Sequence, residues 1–359
     1  MKKIKFPAKI KEKGSGALKR LNSDCFNPFF SHIYVEKKVR DHPRTRKILE
    51  KYQQARVIEI DHYKDLFCRS RQNYTLQHAS QKLILAEKDN QMLYAGAPVC
   101  QSFGNDNFYY TSCMMNCIYD CEYCYLKGMY PSANIVIFVN LEDFFESVEQ
   151  MLKRKALYLC ISYDTDLLTL EQTTGYAQAW SQFAAAHASR LKIEIRTKCA
   201  NKHFFESQEP LSNVIYAFTL SPQAVVERFE HYTPSLSERM ECAAKAVSAG
   251  FLVRLCFDPM IYVPEWERHY AKMLDQVFEI FTADKLTDVS VGSFRIPQDY
   301  LKKMRRQQPD SAAAWFPYQM DHGYYHYPKE LMEQMEQFLV ERLKKHLPEN
   351  KIFLWKNSQ

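Results

Sequence analysis

From about residue 156 the chain alternates short apolar, β-rich runs with longer amphipathic patterns. The runs are Leu157–Ser162, Lys192–Thr197, Val214–Leu220, Phe251–Phe257 and Asp288–Phe294. Between them lie helical patterns such as Thr169–His187, Leu236–Ala249 and Glu265–Phe281. An earlier β-rich run, Asn107–Ser112, is followed by a dense group of cysteines, and Leu141–Leu152 has helical spacing. Strands alternating with helices predict βαβ units around a parallel sheet. Six such units predict an α/β chain closing as a partial (β/α)6 TIM-like barrel over residues 101–296. Residues 22–100 form an N-terminal α/β extension of mixed pattern, with strands expected at Ile33–Glu36, Arg56–Ile60 and Lys82–Ala86. Residues 297–359 form a C-terminal extension: a helix, an aromatic-rich hairpin, a long helix at Lys329–His346 and a last strand at Lys351–Trp355.

Composition removes several classes. The 359 residues are 46% hydrophobic, which is enough for a core and too much for disorder. Glycine is scarce, at 9 residues, and the only Gly-x-Gly, Gly14–Gly16, lies in a Lys-rich stretch with no strand before it. A dinucleotide fingerprint and a phosphate-binding loop are both absent. The net charge of +6 is unevenly spread. Residues 1–20 carry eight basic groups against Glu12 alone, which leaves a nearly neutral body. Residues 1–21 therefore read as a basic flexible tail. The first 20 residues lack an apolar signal segment, and no run of 18 apolar residues occurs, so no membrane span and a cytoplasmic setting are expected. An odd count of 11 cysteines argues against a disulfide framework and leaves ligation, catalysis or burial as their uses.

The densest chemistry is the run from Cys113 to Tyr125, in which Cys117, Cys121 and Cys124 make C-x3-C-x2-C. Three thiolates on one loop can hold three irons of a [4Fe–4S] cube and leave the fourth iron open to another ligand. Together with Cys113 they could also hold zinc, although structural zinc sites usually draw two pairs from separated segments. Cys113 falls outside the three-cysteine spacing and reads as a small buried residue. Cys160 lies near the end of its strand run, at the level where parallel barrels carry their chemistry. Ser162, Lys198, Thr219 and Asp258 recur at that level after successive strands. Cys25, Cys68, Cys100, Cys199, Cys242 and Cys256 show no ligand spacing, and burial is expected for them.

The three-cysteine spacing after a first strand, with an aromatic residue before the last cysteine, resembles the signature of radical S-adenosylmethionine (radical SAM) enzymes. Tyr123 and Tyr125 flanking Cys124 narrow the resemblance to the spore photoproduct lyase family. It runs from about Asn27 to the C-terminus. Its further marks, in order, are Asn27-Pro-Phe29, Ile33–Glu36, Cys160-Ile-Ser162, Arg196-Thr-Lys198, Phe218-Thr219, Phe229-Glu230, Ala249–Phe251, Asp258–Tyr262 and Glu265–Glu267.

The resemblance implies a lyase that uses a [4Fe–4S] cluster and S-adenosyl-L-methionine to make a 5′-deoxyadenosyl radical. That radical opens 5-thyminyl-5,6-dihydrothymine in ultraviolet-damaged DNA to two thymines. It implies Cys117, Cys121 and Cys124 as cluster ligands and Cys160 as hydrogen donor to the thymine radical. Tyr123 and Tyr125 would return the radical to the cofactor, and Ser162, Lys198, Thr219 and Asp258 would contact S-adenosylmethionine. An electron donor such as a flavodoxin or ferredoxin is implied as a partner. For DNA, the resemblance implies a wedge at the hairpin His322–Tyr327, with Lys302, Lys303, Arg305 and Arg306 as candidate phosphate contacts.

Overall fold

The structure, a computed structural model, describes residues 30–97 and 100–355. The basic tail, Cys25 and Asn27–Phe29 fall outside the described residues.

An eight-stranded sheet runs Ile352–Leu354, Asp288–Ser293, Leu252–Met260, Val214–Thr219, Leu191–Thr197, Leu157–Cys160, Phe108–Tyr110 and Tyr94–Ala95. Every neighbouring pair is parallel except the last, where Tyr94–Ala95 adds an antiparallel edge. The six central strands stand in chain order, so each helical crossover returns to the next position and the sheet curls into a half-barrel. The final strand, Ile352–Leu354, extends that series as a seventh parallel member.

The helices form where their patterns say. Leu141–Leu152 buries Leu141, Phe144, Val148 and Leu152, a three-to-four spacing that lays one stripe on the sheet. Leu236–Ser248 starts on a capping box in which the Ser235 hydroxyl accepts from the Glu238 N–H and Glu238 reaches back to the Ser235 N–H. The pattern at Thr169–His187 is not one helix. A short helix Glu171–Thr174 ends at Gly175, whose φ of 65° is left-handed, and Tyr176–Ala186 restarts beyond it.

A second sheet, Arg56–Ile60, His32–Glu36, Leu83–Ala86, Ile135–Phe138 and Met114–Met115, completes the N-terminal region. Its first four strands are parallel, and its last two come from the stretch around the cysteines. Ile135–Phe138 has no exposed residue and no alternation, the mark of a strand buried on both faces. The sequence pattern did not single it out as a strand. The chain thus leaves the first barrel strand and enters the second sheet at Met114–Met115. It then forms the cysteine loop and returns through Ile135–Phe138 before the helix Leu141–Leu152. The loop is gripped between two sheets, which a flexible connection could not provide. A third, antiparallel sheet of Arg295–Pro297, Tyr324–His326 and Gln319–Asp321 grows from the end of the sixth barrel strand. Its two-residue turn places His322 at φ 44° and Gly323 at φ 84°, as a tight hairpin requires.

Candidate active site

The cysteine loop is built by local constraints on both sides. Asn116, at φ 67°, turns the chain into it, and its buried amide donates to the carbonyls of Ser132 and Asn134, both at 2.7 Å. Asn is among the few side chains that tolerate this backbone region. Gln81 donates to the Cys117 carbonyl at 3.0 Å, and the Cys117 sulfur accepts from the Tyr119 N–H at 3.4 Å. Asp120–Cys121 pairs antiparallel with Glu230–His231, and the Glu122 N–H donates to the Phe229 carbonyl at 2.8 Å. A one-turn helix, Leu126–Met129, follows. A side chain at Gly128 would stand 2.3 Å from the Tyr300 carbonyl oxygen, so glycine is what lets the helix Gln298–Gln307 lie against it.

These contacts leave three thiols, not four, at the loop. Cys113 is 0% exposed and packs in the hydrophobic core beside Met114, which removes the fourth ligand that a structural zinc site needs. Among the described residues no three His, Cys, Asp or Glu side chains converge on a single ion. A cube asks instead for one thiolate per iron, spread over its corners. The donor set, soft sulfurs on one loop with a fourth position free of protein, fits that group. Burial pushes the Cys121 thiol up to about 12, against the pull of nearby Lys198, and raises Cys117 and Cys124 as well. Thiols so placed ionise when a metal supplies the compensating charge.

Lys198, after the third barrel strand, faces this loop. Its ammonium lies 5.6 Å from the Tyr123 ring centroid. Burial would lower its pKa, but Cys121 and Glu230 raise it. Its backbone N–H donates to Asp166 at 2.6 Å, and the Thr197 hydroxyl donates to the same carboxylate at 2.7 Å. Glu230 is the centre of the neighbourhood. It is buried and accepts from the Tyr123 hydroxyl, from Ser221 at 2.7 Å and from the Arg239 guanidinium. Burial would raise its pKa, yet Arg239 and Lys198 hold it at about 2. Arg239 also donates to the Thr219 carbonyl at 3.2 Å, which fixes the end of the fourth strand.

At the end of the second barrel strand, Cys160 is buried, and its burial raises the thiol well above its ordinary value. The Ser162 hydroxyl accepts from the Arg196 N–H at 2.6 Å. Asp258 stands 3.4 Å from Arg295 and 4.0 Å from Arg196, so its carboxylate faces two guanidinium groups. Tyr125 donates to the Tyr163 carbonyl, with the two rings 5.8 Å apart. The Tyr163 hydroxyl is 3.4 Å from the Cys100 sulfur.

All ten site residues expected from the sequence therefore lie on the cysteine loop or at the same ends of the barrel strands. Tyr123, Lys198 and Cys121 form one cluster, and Cys160, Ser162 and Asp258 gather around Arg196. Sequence reasoning passed over Tyr163 and Arg239, and used Glu230 only as a matching position. Cys100 was expected to be an uninvolved buried residue; it is half-buried and reaches the mouth. Cys68 was also expected to be buried and is exposed, whereas Cys199, Cys242 and Cys256 are buried.

A parallel half-barrel with three thiols on the loop after its first strand, facing polar strand ends, is the architecture of a radical SAM enzyme. The spore photoproduct lyase family model matches residues 26–355, and the chain belongs to that family. A spore photoproduct lyase of Clostridium acetobutylicum is 21% identical over 332 residues, 88% of this chain and 95% of the relative. One of Bacillus subtilis is 20% identical over 275 residues, covering 74% and 78%. Among solved structures, a spore photoproduct lyase with one cysteine replaced by alanine superposes with a TM-score of 0.77 at 17% identity, covering 92% of this chain and 99% of that one. A spore photoproduct lyase with bound AdoMet and dinucleoside spore photoproduct gives 0.74 at 17% identity, with the same coverage.

Proposed function

We infer that this chain is a radical SAM lyase that reverts 5-thyminyl-5,6-dihydrothymine in damaged DNA to two thymines, with Cys160 as the hydrogen donor. What supports the reading most is a thiol at the end of the second barrel strand together with a three-thiol loop after the first, in a chain that the family matches almost throughout. Cys117, Cys121 and Cys124 would hold the cluster, which with bound S-adenosylmethionine would supply the radical chemistry that starts the reaction.

The protein's own part follows from the environment of each side chain. Burial keeps Cys160 as S–H, the form a hydrogen-atom donor needs, since a thiolate has no hydrogen to give. Its hydrogen passes to the thymine radical, closing a C–H bond and leaving the unpaired electron on sulfur. Tyr125 and then Tyr123 pass that deficit on, each giving its phenolic hydrogen to the radical before it, and Tyr123 would recover its own from 5′-deoxyadenosine, returning the radical to the cofactor. For Tyr123 the Glu230 carboxylate accepts the phenolic hydrogen bond and holds the hydroxyl in place. Lys198, Ser162, Thr219 and Asp258 hold the nucleoside cofactor at the strand ends. With Arg295 and Arg196 beside it, the Asp258 carboxylate contributes within a fixed charge network rather than as a free acceptor. The electron that starts each cycle comes from a flavodoxin or ferredoxin, and the reduced thiols of the site suit the cytoplasm. Among the described residues no helix is long and apolar enough to cross a membrane.

The test is turnover of a dinucleoside lesion by anaerobically reconstituted protein with reductant and S-adenosylmethionine. The expected result is release of the repaired thymine dinucleoside. If 5′-deoxyadenosine forms and the lesion persists, the radical SAM site stands and the substrate assignment fails.

A further inference from the structure

Trp315 stands at the protein surface. It is 55% exposed, whereas Trp180 and Trp266 are 0% and 6% exposed. It is also held still. Its backbone N–H donates to the Ser311 carbonyl at 3.1 Å and its indole N–H to the Gln308 carbonyl at 3.3 Å. Arg305 lies 5.2 Å from its ring centroid and donates to the Ala314 carbonyl at 2.9 Å. The same guanidinium lies 5.7 Å from Tyr325 of the hairpin, whose Met320 is 55% exposed. The segment is fastened to the cysteine loop: the Ser311 hydroxyl donates to Glu122 Oε2 at 2.6 Å, and the Gln308 amide donates to the Glu122 carbonyl at 2.8 Å. The adjoining helix Gln298–Gln307 turns Lys302, Lys303 and Arg306 to solvent.

A flat aromatic face on a rigid mount, with a guanidinium beside it and cations on the adjoining helix, is what a nucleic acid strand needs: a surface for a base to stack on and charges for its phosphates. The described body is nearly neutral, so a local patch must supply the attraction. We propose that Trp315 is a stacking platform for a base flanking the lesion in damaged DNA, with Lys302, Lys303 and Arg306 on the neighbouring phosphates. This rests on the reading of DNA as the carrier of the substrate. It assigns a contact outside both the reacting site and the hairpin turn. Because Gln308 and Ser311 bond to Glu122, the platform sets the position of the strand relative to the cluster loop.

The test compares wild type, Trp315→Ala and Trp315→Phe in two arms. One arm is anisotropy with a labelled duplex carrying a single lesion; the other is kcat/KM on that duplex and on the dinucleoside lesion. Trp315→Ala is expected to weaken duplex binding about tenfold and to lower the duplex-over-dinucleoside preference by a similar factor. Trp315→Phe, which keeps an aromatic face, is expected to recover most of both. Unchanged duplex binding by Trp315→Ala overturns the proposal. So does a loss shared equally by the dinucleoside, which would mark a structural role. If wild type repairs neither substrate but the tenfold binding difference remains, the lesion assignment fails and the platform stands.

Discussion

Arg239 and Arg254 are both sealed from solvent, at 0% and 1% exposure, and both are paired with carboxylates. Their neighbourhoods nevertheless differ in kind. Arg254 lies low in the half-barrel, bonded to Glu194, to Asp288 at 2.8 Å and to the Tyr158 hydroxyl, with the Phe103 ring 3.2 Å from its guanidinium carbon. Its partners sit on three barrel strands and one covering loop. Arg239 meets one carboxylate, Glu230, which also holds Tyr123 and whose strand pairs with Cys121. The first network ties strands to one another where a half-barrel lacks strands to close it. The second ties a barrel helix to the cysteine loop. Buried charge alone does not mark chemistry; what it is bonded to does.

That contrast can be broken by substitution. Glu230→Gln removes the charge that faces both Arg239 and the Tyr123 hydroxyl. It should cost about 3–5 kcal/mol of stability in denaturant unfolding, the range for one partner removed from a buried pair. It should also lower turnover of the folded fraction at least tenfold. Arg254→Met strands Glu194 and Asp288 and should cost stability in the same range of about 3–5 kcal/mol, while turnover per folded molecule stays within twofold of wild type. Equal losses of turnover in the two variants would erase the distinction between the networks.

The smaller effect concerns pH. Glu171 caps the helix restarted at Tyr176, accepting from the Ala177 and Gln178 N–H groups at 2.7 and 2.9 Å. Burial nevertheless pushes its carboxyl up to about 7, against those two bonds. A carboxyl raised in the folded state stabilises the fold while protonated, and that stability is lost as pH climbs from the unfolded value through about 7. Glu171→Gln should therefore gain about 2 kcal/mol relative to wild type between pH 5 and pH 8. Parallel stability curves for the two proteins would show that Glu171 stays ionised throughout.

The parts legible in the sequence were those written locally. Cys117, Cys121 and Cys124 declare themselves by spacing within one loop, and the helix Leu141–Leu152 appears with the bounds its apolar stripe predicts. The strands after residue 156 follow from apolar runs, each within a few residues of its observed ends. What stayed hidden depends on distant pairing. Nothing near Glu230 in sequence says that it meets Tyr123, 107 positions away. Cys100 lacks ligand spacing because it reaches the mouth as a neighbour of Tyr163, not as part of a motif. Ile135–Phe138 is an apolar run of four residues beside the cysteine motif, and only pairing with Leu83–Ala86 makes it a strand of the second sheet. At Gly175 a helical stripe continues across a break that its backbone conformation imposes.

The central claim is that the mouth of the half-barrel repairs a thymine lesion through Cys160, and product analysis of Cys160→Ala tests it most directly. The account predicts that the variant still forms 5′-deoxyadenosine and still opens the lesion. Without its hydrogen donor, the thymine radical is then diverted to side products, and the yield of repaired dinucleoside falls. A Cys160→Ala protein that released repaired dinucleoside as cleanly as wild type would contradict it.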